Sequence, residues 1–381
     1  MPVQNYEPLN TTTDVTTTRT ILHETIPMTG TIVSGTYGAF PNEGNIKNYA
    51  HGMFQSVYDY PYLSSSANHI FDITLGYDES SFASASAVAG GLNPGIQNGK
   101  KINMYNQHAQ VLLGYTGSAN TVEIFESDLN FADDDNQMKE VFFINFSRLL
   151  TKDQVKKGSF SVTLGTGSWT DPFGSKGGAT AGTHTGSLVL SDVSASEGLS
   201  SNTTNTRGGD YGVLYVTSGS GGTANGNATT GSTARGIVFY QAGIAIITAS
   251  VFVNNTGDFY YNAAGTKYTV TEAMISASIS GSCDALRRRV SDITFNNSTE
   301  INSTIYFCRV PHNKFNYSSN PTYTTGSKVR VKQNPTDTPV SYITTIGLYN
   351  TSNELLAVAK LSEPLKKDPA NELTLRVRLD Y

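Results

Sequence analysis

The segments YITTIGLYN (residues 342–350), NELLAVAKL (353–361) and LTLRVRLDY (373–381) decide the fold predicted for this chain. The first two are apolar runs on either side of a polar cluster at 350–353. Short polar side chains of this kind bond to the local backbone in turns, so the pattern predicts a hairpin. The third segment alternates leucine or valine with polar residues, which is the period of a strand with one buried face. The chain is therefore expected to end in β-sheet.

Further β-prone runs recur through the 381 residues, and they include 142–146, 159–164, 237–240 and 268–279. Two segments have helical spacing instead. One is 102–113, which stops before Gly114. The other lies within 149–157, with Thr151 as its N-cap and Gly158 as its stop. Many short strands with two short helices predict a mainly β, sandwich-like core.

Composition divides the chain into four parts. The first twenty residues are polar and are expected to form an arm that is ordered only by a neighbour. The segment 165–236 is rich in Gly, Ser and Thr, and its apolar runs 188–190 and 211–216 are expected to pair as a protruding hairpin, with a structureless linker as the alternative. The predicted organisation is an arm at 1–20, a first part of the core at 21–164, a peripheral insertion at 165–236 and a second part of the core at 237–381.

Charge and hydropathy exclude several classes of protein. Charged residues form 15% of the chain and the formal net charge is −5, so nucleic-acid binding is not expected. The one dense basic run, Arg287, Arg288 and Arg289, is expected at a solvated surface or an interface, paired with carboxylates. No apolar stretch is long enough for a transmembrane helix, and the N-terminus does not resemble a secretory signal. Cys283 and Cys308 are expected in neighbouring strands, as two reduced core cysteines, with a disulfide between them as the alternative.

The sequence contains no motif that predicts catalysis. The segment 91–101 (GLNPGIQNGKK) lacks the glycine and Ser/Thr positions of a phosphate-binding loop. The six histidines are scattered, and the run 133–136 (DDDN) lacks the pattern of an EF-hand. We therefore predict a protein that is not an enzyme, with no catalytic residue, cofactor or metal. Paired carboxylates of a glycosidase are a tertiary property that the sequence alone leaves open.

Whole phrases of the sequence resemble virion proteins of contractile-tailed bacteriophages, in particular the T-even-like phages of marine cyanobacteria. These phrases are YITTIGLYN, NELLAVAKLSEPLKKD and LRVRLDY near the end of the chain, together with residues 48–77, 140–165 and 309–323. The resemblance implies a structural subunit of the virion that is assembled in the host cytoplasm and acts by protein–protein assembly. It implies other virion proteins as partners, and we expect a homo-oligomer in a symmetric particle.

The tail or baseplate is the predicted location, and two alternatives stay open. One is a decoration or collar subunit of the head or neck. The other is a receptor module that binds or cleaves carbohydrate. Interface residues are predicted in the terminal hairpin, in the loop that precedes it and in the basic run, because buried aromatic and arginine side chains dominate interface energies. The candidates are Phe315, Tyr317, Tyr349, Leu355, Leu356, Arg287 and Arg288.

Overall fold

The computed structural model describes residues 6–27, 44–84, 96–115, 122–126, 137–170, 172–173, 187–192, 204–205, 209–219, 234–252, 258–262, 264–318, 320–330, 332 and 334–381. It divides into two compact units. Unit 1 consists of Met1–Leu22 and Glu300–Tyr381, and unit 2 is His23–Thr299. The run 133–136 and the first five residues of the segment 91–101 lie outside the described residues.

Strands dominate both units, so the prediction of a mainly β fold is confirmed. The strands are β1 (Val15–Pro27), β2 (Ile46–Asn48), β3 (Gln55–Tyr58), β4 (His69–Tyr77), β5 (Glu140–Phe146), β6 (Gln154–Val155), β7 (Ser161–Gly165), β8 (Ser187–Ser191), β9 (Thr204–Asn205), β10 (Gly209–Gly219), β11 (Ala234–Phe239), β12 (Ile244–Thr248), β13 (Tyr260–Tyr261), β14 (Lys267–Tyr268), β15 (Val290–Val310), β16 (Thr324–Thr325), β17 (Lys328–Val329), β18 (Ser341–Tyr349), β19 (Leu355–Lys367) and β20 (Leu373–Asp380). The α-helices are α1 (Asn98–Leu112), α2 (Arg148–Thr151), α3 (Val270–Ser276) and α4 (Ile279–Arg287).

The core of unit 2 lies on both faces of an antiparallel sheet with the strand order β15-β7-β8-β10-β11-β12-β5-β4-β3-β2. Alternate residues of β5 face opposite ways: Phe142 and Ile144 join one apolar cluster, whereas Phe143 joins another. The first cluster includes residues of α3 and α4, and the second includes residues of α1. Strands covered on both faces read as continuous apolar runs, which explains the sequence FFINF.

The helix predicted at 102–113 is confirmed as α1, and Gly114 follows it at a φ of 102°. The helix predicted within 149–157 is wrong in position. Helix α2 ends at Thr151, Lys152 has a φ of 55°, and the next residues form β6, which pairs with β15. Burial of Val155 in the main cluster stabilises this strand in place of a longer helix.

The strand predicted at 268–279 is also wrong, because this segment forms α3 and begins α4. Thr269 and Glu272 form a capping box: the Thr269 hydroxyl accepts from the Glu272 amide at 3.3 Å, and the Glu272 carboxylate accepts from the Thr269 amide at 2.8 Å. Ser278 caps α4 with a single bond, in which its hydroxyl accepts from the Gly281 amide. These caps satisfy backbone amides at the helix starts. They therefore stabilise two helices in a segment whose alternating side chains had suggested a strand.

The cysteines do not lie in neighbouring strands. Cys283 is buried in α4, whereas Cys308 lies in β15, and both are free thiols.

The apolar runs of the segment 165–236 pair with each other as predicted, but they are not peripheral. Strand β8 pairs antiparallel with β10, and both lie inside the sheet between β7 and β11. Leu188, Leu190 and Leu214 are buried in the main cluster of unit 2. The rest of the predicted insertion lies outside the described residues, apart from 165–170, 172–173, 192, the short strand β9 and the start of β11.

Strand order also corrects the prediction for the N-terminal arm. From Val15 onward the arm forms β1, which lies beside β15. Within unit 1, the Phe307 amide donates to the Asp14 carbonyl at 2.8 Å, and the Arg309 guanidinium lies 2.7 Å from the Asp14 carboxylate. This part of the arm is therefore ordered by its own chain.

Candidate assembly interface

The terminal hairpin is built as the sequence predicts, by β18 and β19 around a turn at 350–354. The Asn350 side-chain oxygen accepts from the amides of Ser352 and Glu354, each at 2.9 Å. Asn353 has a φ of 63°, a conformation that asparagine adopts more readily than most residues. These local bonds fix the register of the two strands, which form a two-stranded sheet in the described part of the chain.

The two faces of this hairpin, which we call the ladder, differ in how much apolar surface they expose. Ile346 lies opposite Ala359 and Leu348 opposite Ala357, so these residues share one half-buried face. Gly347 lies opposite Val358 on the other face. There the side chains of Tyr349 and Leu355 lie over Gly347, where a Cβ would stand 2.9 Å from the tyrosine ring and 3.2 Å from the leucine methyl.

Large apolar side chains are exposed on the ladder. Tyr349 is 42% exposed, Leu355 53%, Leu356 68% and Val358 59%. We call these four residues the ladder patch. A two-stranded hairpin is at best marginally stable in water by itself, and a contiguous exposed apolar patch marks a surface for interaction.

Unit 1 has little hydrophobic core with which to stabilise the ladder. Among its described residues, the buried apolar side chains are Val310 of β15 and Val377 of β20. Strand β20 has the alternation predicted from its sequence, yet Leu375 and Leu379 are only half-buried. The apolar clusters found in the described parts of the chain belong to unit 2. Burial within unit 1 therefore gives a small stabilising contribution, since stability depends mainly on apolar area removed from water.

The loop that precedes the ladder is held by a buried lysine. The Lys367 side chain is fully buried, and its ammonium donates to the His312 carbonyl at 3.2 Å, the Asn316 side-chain oxygen at 2.7 Å and the Asp368 carbonyl at 2.7 Å. These bonds hold a loop on which Phe315 and Tyr317 are 36% and 53% exposed. The two aromatic candidates are thus presented to solvent on a fixed backbone.

The basic run is not the surface cluster that was expected. Arg287 is 1% exposed and pairs with Asp284 at 3.1 Å, one turn earlier on α4. Arg289 is fully buried and donates to four backbone carbonyls, with burial lowering its pKa to about 9. Arg288 is half-buried, and its Nε donates to the Trp169 carbonyl at 2.6 Å. Arg287 therefore stabilises unit 2 and is unsuited to an interface.

Two residues of the interface region escaped the sequence analysis. Val358 lies in the ladder patch, and the ring of Tyr6 lies 4.9 Å from the ring of Tyr349 at an interplanar angle of 60°. The run LLAVA was a usable signal for Val358, because consecutive apolar residues place apolar side chains on both faces of a strand. No local signal points to Tyr6, whose role depends on a distant part of the chain.

Titratable side chains in the described part of the chain do not group as a metal site. There, no three His, Cys, Asp or Glu side chains are grouped as metal ligands. Lys101 lies in the first turns of α1, where it is fully buried and donates to the carbonyls of Met274, Ile275 and Ala277. It thus binds the end of α3, where carbonyls lack helical partners. The described helices include none that is both long and apolar enough to cross a bilayer.

Comparison with known proteins yields no match to a protein-family model, a curated protein or a solved structure.

Proposed function

We propose that this chain is a non-enzymatic structural subunit of a contractile-tailed phage virion, located in the tail or baseplate, and that it assembles with other virion proteins through unit 1. One observation carries the proposal. Unit 1 exposes the ladder patch while its described residues bury only Val310 and Val377 as apolar side chains. A surface of this kind is stabilised when another protein covers it.

The energetic gain from covering the patch is substantial relative to protein stability. Fully burying one large aliphatic or aromatic side chain contributes about 1.5–3 kcal/mol. Four such side chains that are about half exposed would contribute a few kcal/mol, against net stabilities of about 5–15 kcal/mol for whole domains. Contact with a neighbouring subunit would therefore account for much of the stability of unit 1.

The sequence phrases support the phage assignment. The phrases YITTIGLYN, NELLAVAKLSEPLKKD and LRVRLDY coincide with β18, β19 and β20, which are the strands of the proposed assembly unit. The phrase at 309–323 contains the loop that presents Phe315 and Tyr317. The phrases at 48–77 and 140–165 lie in unit 2, so the resemblance covers both units and includes the strands of the proposed contacts between subunits.

The test is to find the protein in purified phage particles. Particles from a phage that encodes this chain are analysed by quantitative mass spectrometry and labelled with gold-conjugated antibodies raised against the recombinant chain. We expect a fixed copy number per particle and label at the tail or baseplate. Label on the head or neck would contradict the location, and particles that lack the protein would refute the virion role.

A further inference from the structure

We infer that the ladder patch is covered by the same patch of a second copy of this chain, which makes the ladder a homo-oligomerisation element. This inference rests on the proposed function, because it names the partner of the same assembly surface. The patch is formed by Tyr349, Leu355, Leu356 and Val358, and Tyr6 lies beside it.

The area of the patch suits a protein partner. A large aromatic side chain has on the order of 150–250 Å² of surface, so the half-exposed ring of Tyr349 offers roughly 100 Å². Leu355, Leu356 and Val358 are each more than half exposed. The four side chains together offer on the order of 300–400 Å², about half of the roughly 800 Å² that each partner gives to a stable interface. Lysine stems and backbone at the rim of the ladder can supply the remainder.

The charges around the patch are self-complementary. The exposed charged residues that flank the patch along the chain are Glu354, directly before Leu355, and Lys360, two residues after Val358, which are one acid and one base. Strand β18 carries no charged residue. A partner with a field of one sign would meet a like charge at one end of the patch. A second copy offers an opposite charge for each one, which is what an isologous two-fold interface requires.

Strand geometry agrees with a symmetric contact. Gly347 leaves the centre of the exposed face without a side chain, and Tyr349 and Leu355 lie over it from the turn end. Val358 stands opposite Gly347 across the ladder. The face is therefore apolar at its middle, where Tyr349 and Leu355 cover Gly347, and charged at its rim, which is the usual anatomy of a protein interface.

The first experiment is sedimentation velocity of the full chain over a concentration series around 10 µM, which spans typical stable associations. We expect a dimer for the wild type, because an isologous contact closes with two copies. Val358→Glu and Leu356→Glu should each weaken the association by about 100-fold or more, because each places a carboxylate in the centre of an apolar contact. The matched control is Leu63→Glu, a change at an 86% exposed leucine of unit 2, which should leave the association unchanged.

A second measurement keeps the inference testable if the glutamate variants fold poorly. Leu356→Cys is prepared in a Cys308→Ser background, so that the other thiol, Cys283, is buried. A short bismaleimide should then link two chains efficiently, whereas Leu63→Cys in the same background should give little linked product. Equal yields from the two variants would contradict contact between ladder patches.

The two proposals fail in different ways. A wild-type chain that is monomeric throughout the concentration series, yet present in virions, would overturn the homo-oligomer and leave the virion role standing. An oligomer that dissociates on Val358→Glu, from a chain absent from virions, would support this inference and refute the proposed function. An oligomer that survives both glutamate substitutions would overturn the assignment of the interface to the ladder.

Discussion

The rings of Tyr6 and Tyr349 lie 4.9 Å apart at an interplanar angle of 60°, which joins the N-terminal segment to the edge of the ladder patch. Tilted ring pairs of this type contribute about 0.5–1.5 kcal/mol beyond their buried area. The contact lies entirely within unit 1. It provides a stabilising interaction in a unit whose described residues bury few apolar side chains.

Tyr6→Ala should therefore destabilise unit 1 by about 0.5–1.5 kcal/mol, the value of the lost ring pair. The measurement is urea denaturation in which the unfolding of unit 1 is monitored by hydrogen exchange of peptides from the ladder. Tyr6→Phe is the matched control, since it retains the ring and removes only the hydroxyl. Equal effects of the two variants would show that the ring pair is not the stabilising contact.

Gly212→Ala should destabilise unit 2, because its new Cβ would lie 2.0 Å from the Tyr240 hydroxyl. That hydroxyl donates to the Asp192 carboxylate at 2.8 Å in a fully buried position, so the ring cannot shift without breaking the bond. We expect a loss of about 1–3 kcal/mol by chemical denaturation.

The control for this change is Gly99→Ala in the first turn of α1. A Cβ there meets no atom within 4 Å, so alanine should be neutral or stabilise by up to about 1 kcal/mol. A loss of stability at position 99 as large as that at position 212 would contradict the role of Tyr240.

The pH dependence of stability should include a contribution from Asp192. Burial raises the pKa of this carboxyl to about 6, although it accepts from Tyr240 and from the amides of Gly158 and Phe160. Between pH 4 and 6 the folded protein holds a proton that the unfolded chain, with an ordinary pKa of 3.8, has released. The free energy of unfolding should thus decrease as pH rises through this range, by up to roughly 3 kcal/mol from this group.

Asp192→Asn is the test of that contribution. The variant has a different baseline stability, so the informative quantity is the slope of unfolding free energy between pH 4 and 6. We expect this slope to be less negative in the variant than in the wild type. The difference should be at most the slope that one proton per chain produces. Parallel profiles for the wild type and the variant would show that Asp192 has no raised pKa.

Arg289→Met should be strongly destabilising. The guanidinium donates to the carbonyls of Gly165 and Gly167 and to those of Asp258 and Phe259, and it lies 5.0 Å from the centre of the Phe259 ring. Methionine fills the space and leaves buried carbonyls without donors, each of which costs about 1–3 kcal/mol. Arg376→Met, at an exposed arginine of β20, should change stability by no more than about 0.5 kcal/mol. Similar melting curves for the two variants would refute a structural role for Arg289.

Local sequence patterns predicted the parts of the fold that local physics determines. The alternation of β20, the turn at Asn350 and the end of α1 at Gly114 follow from side-chain period and turn chemistry. The error at 268–279 was avoidable, because the Thr-x-x-Glu capping box at Thr269 is visible in the sequence.

Other features depend on distant parts of the chain. Burial of Arg287 and Arg289 follows from how α4 packs in unit 2, and the sequence RRR is equally compatible with a solvated run. The candidates Tyr349, Leu355 and Leu356 were found because they lie in apolar runs. Whether their faces are covered is a tertiary or quaternary property, which explains why the contribution of Tyr6 was not predicted.

The most direct test of the central claim is hydrogen exchange of the ladder in the free chain and in purified particles. We expect amides of β18 and β19 to exchange rapidly in the dilute free chain and to be protected at least about 100-fold in the assembled state, because unit 1 gains its apolar cover from neighbouring subunits. Strand β5, buried on both faces in unit 2, serves as the internal reference and should be protected in both states. Equal protection of the ladder in free and assembled chains would contradict the claim that unit 1 is an assembly element.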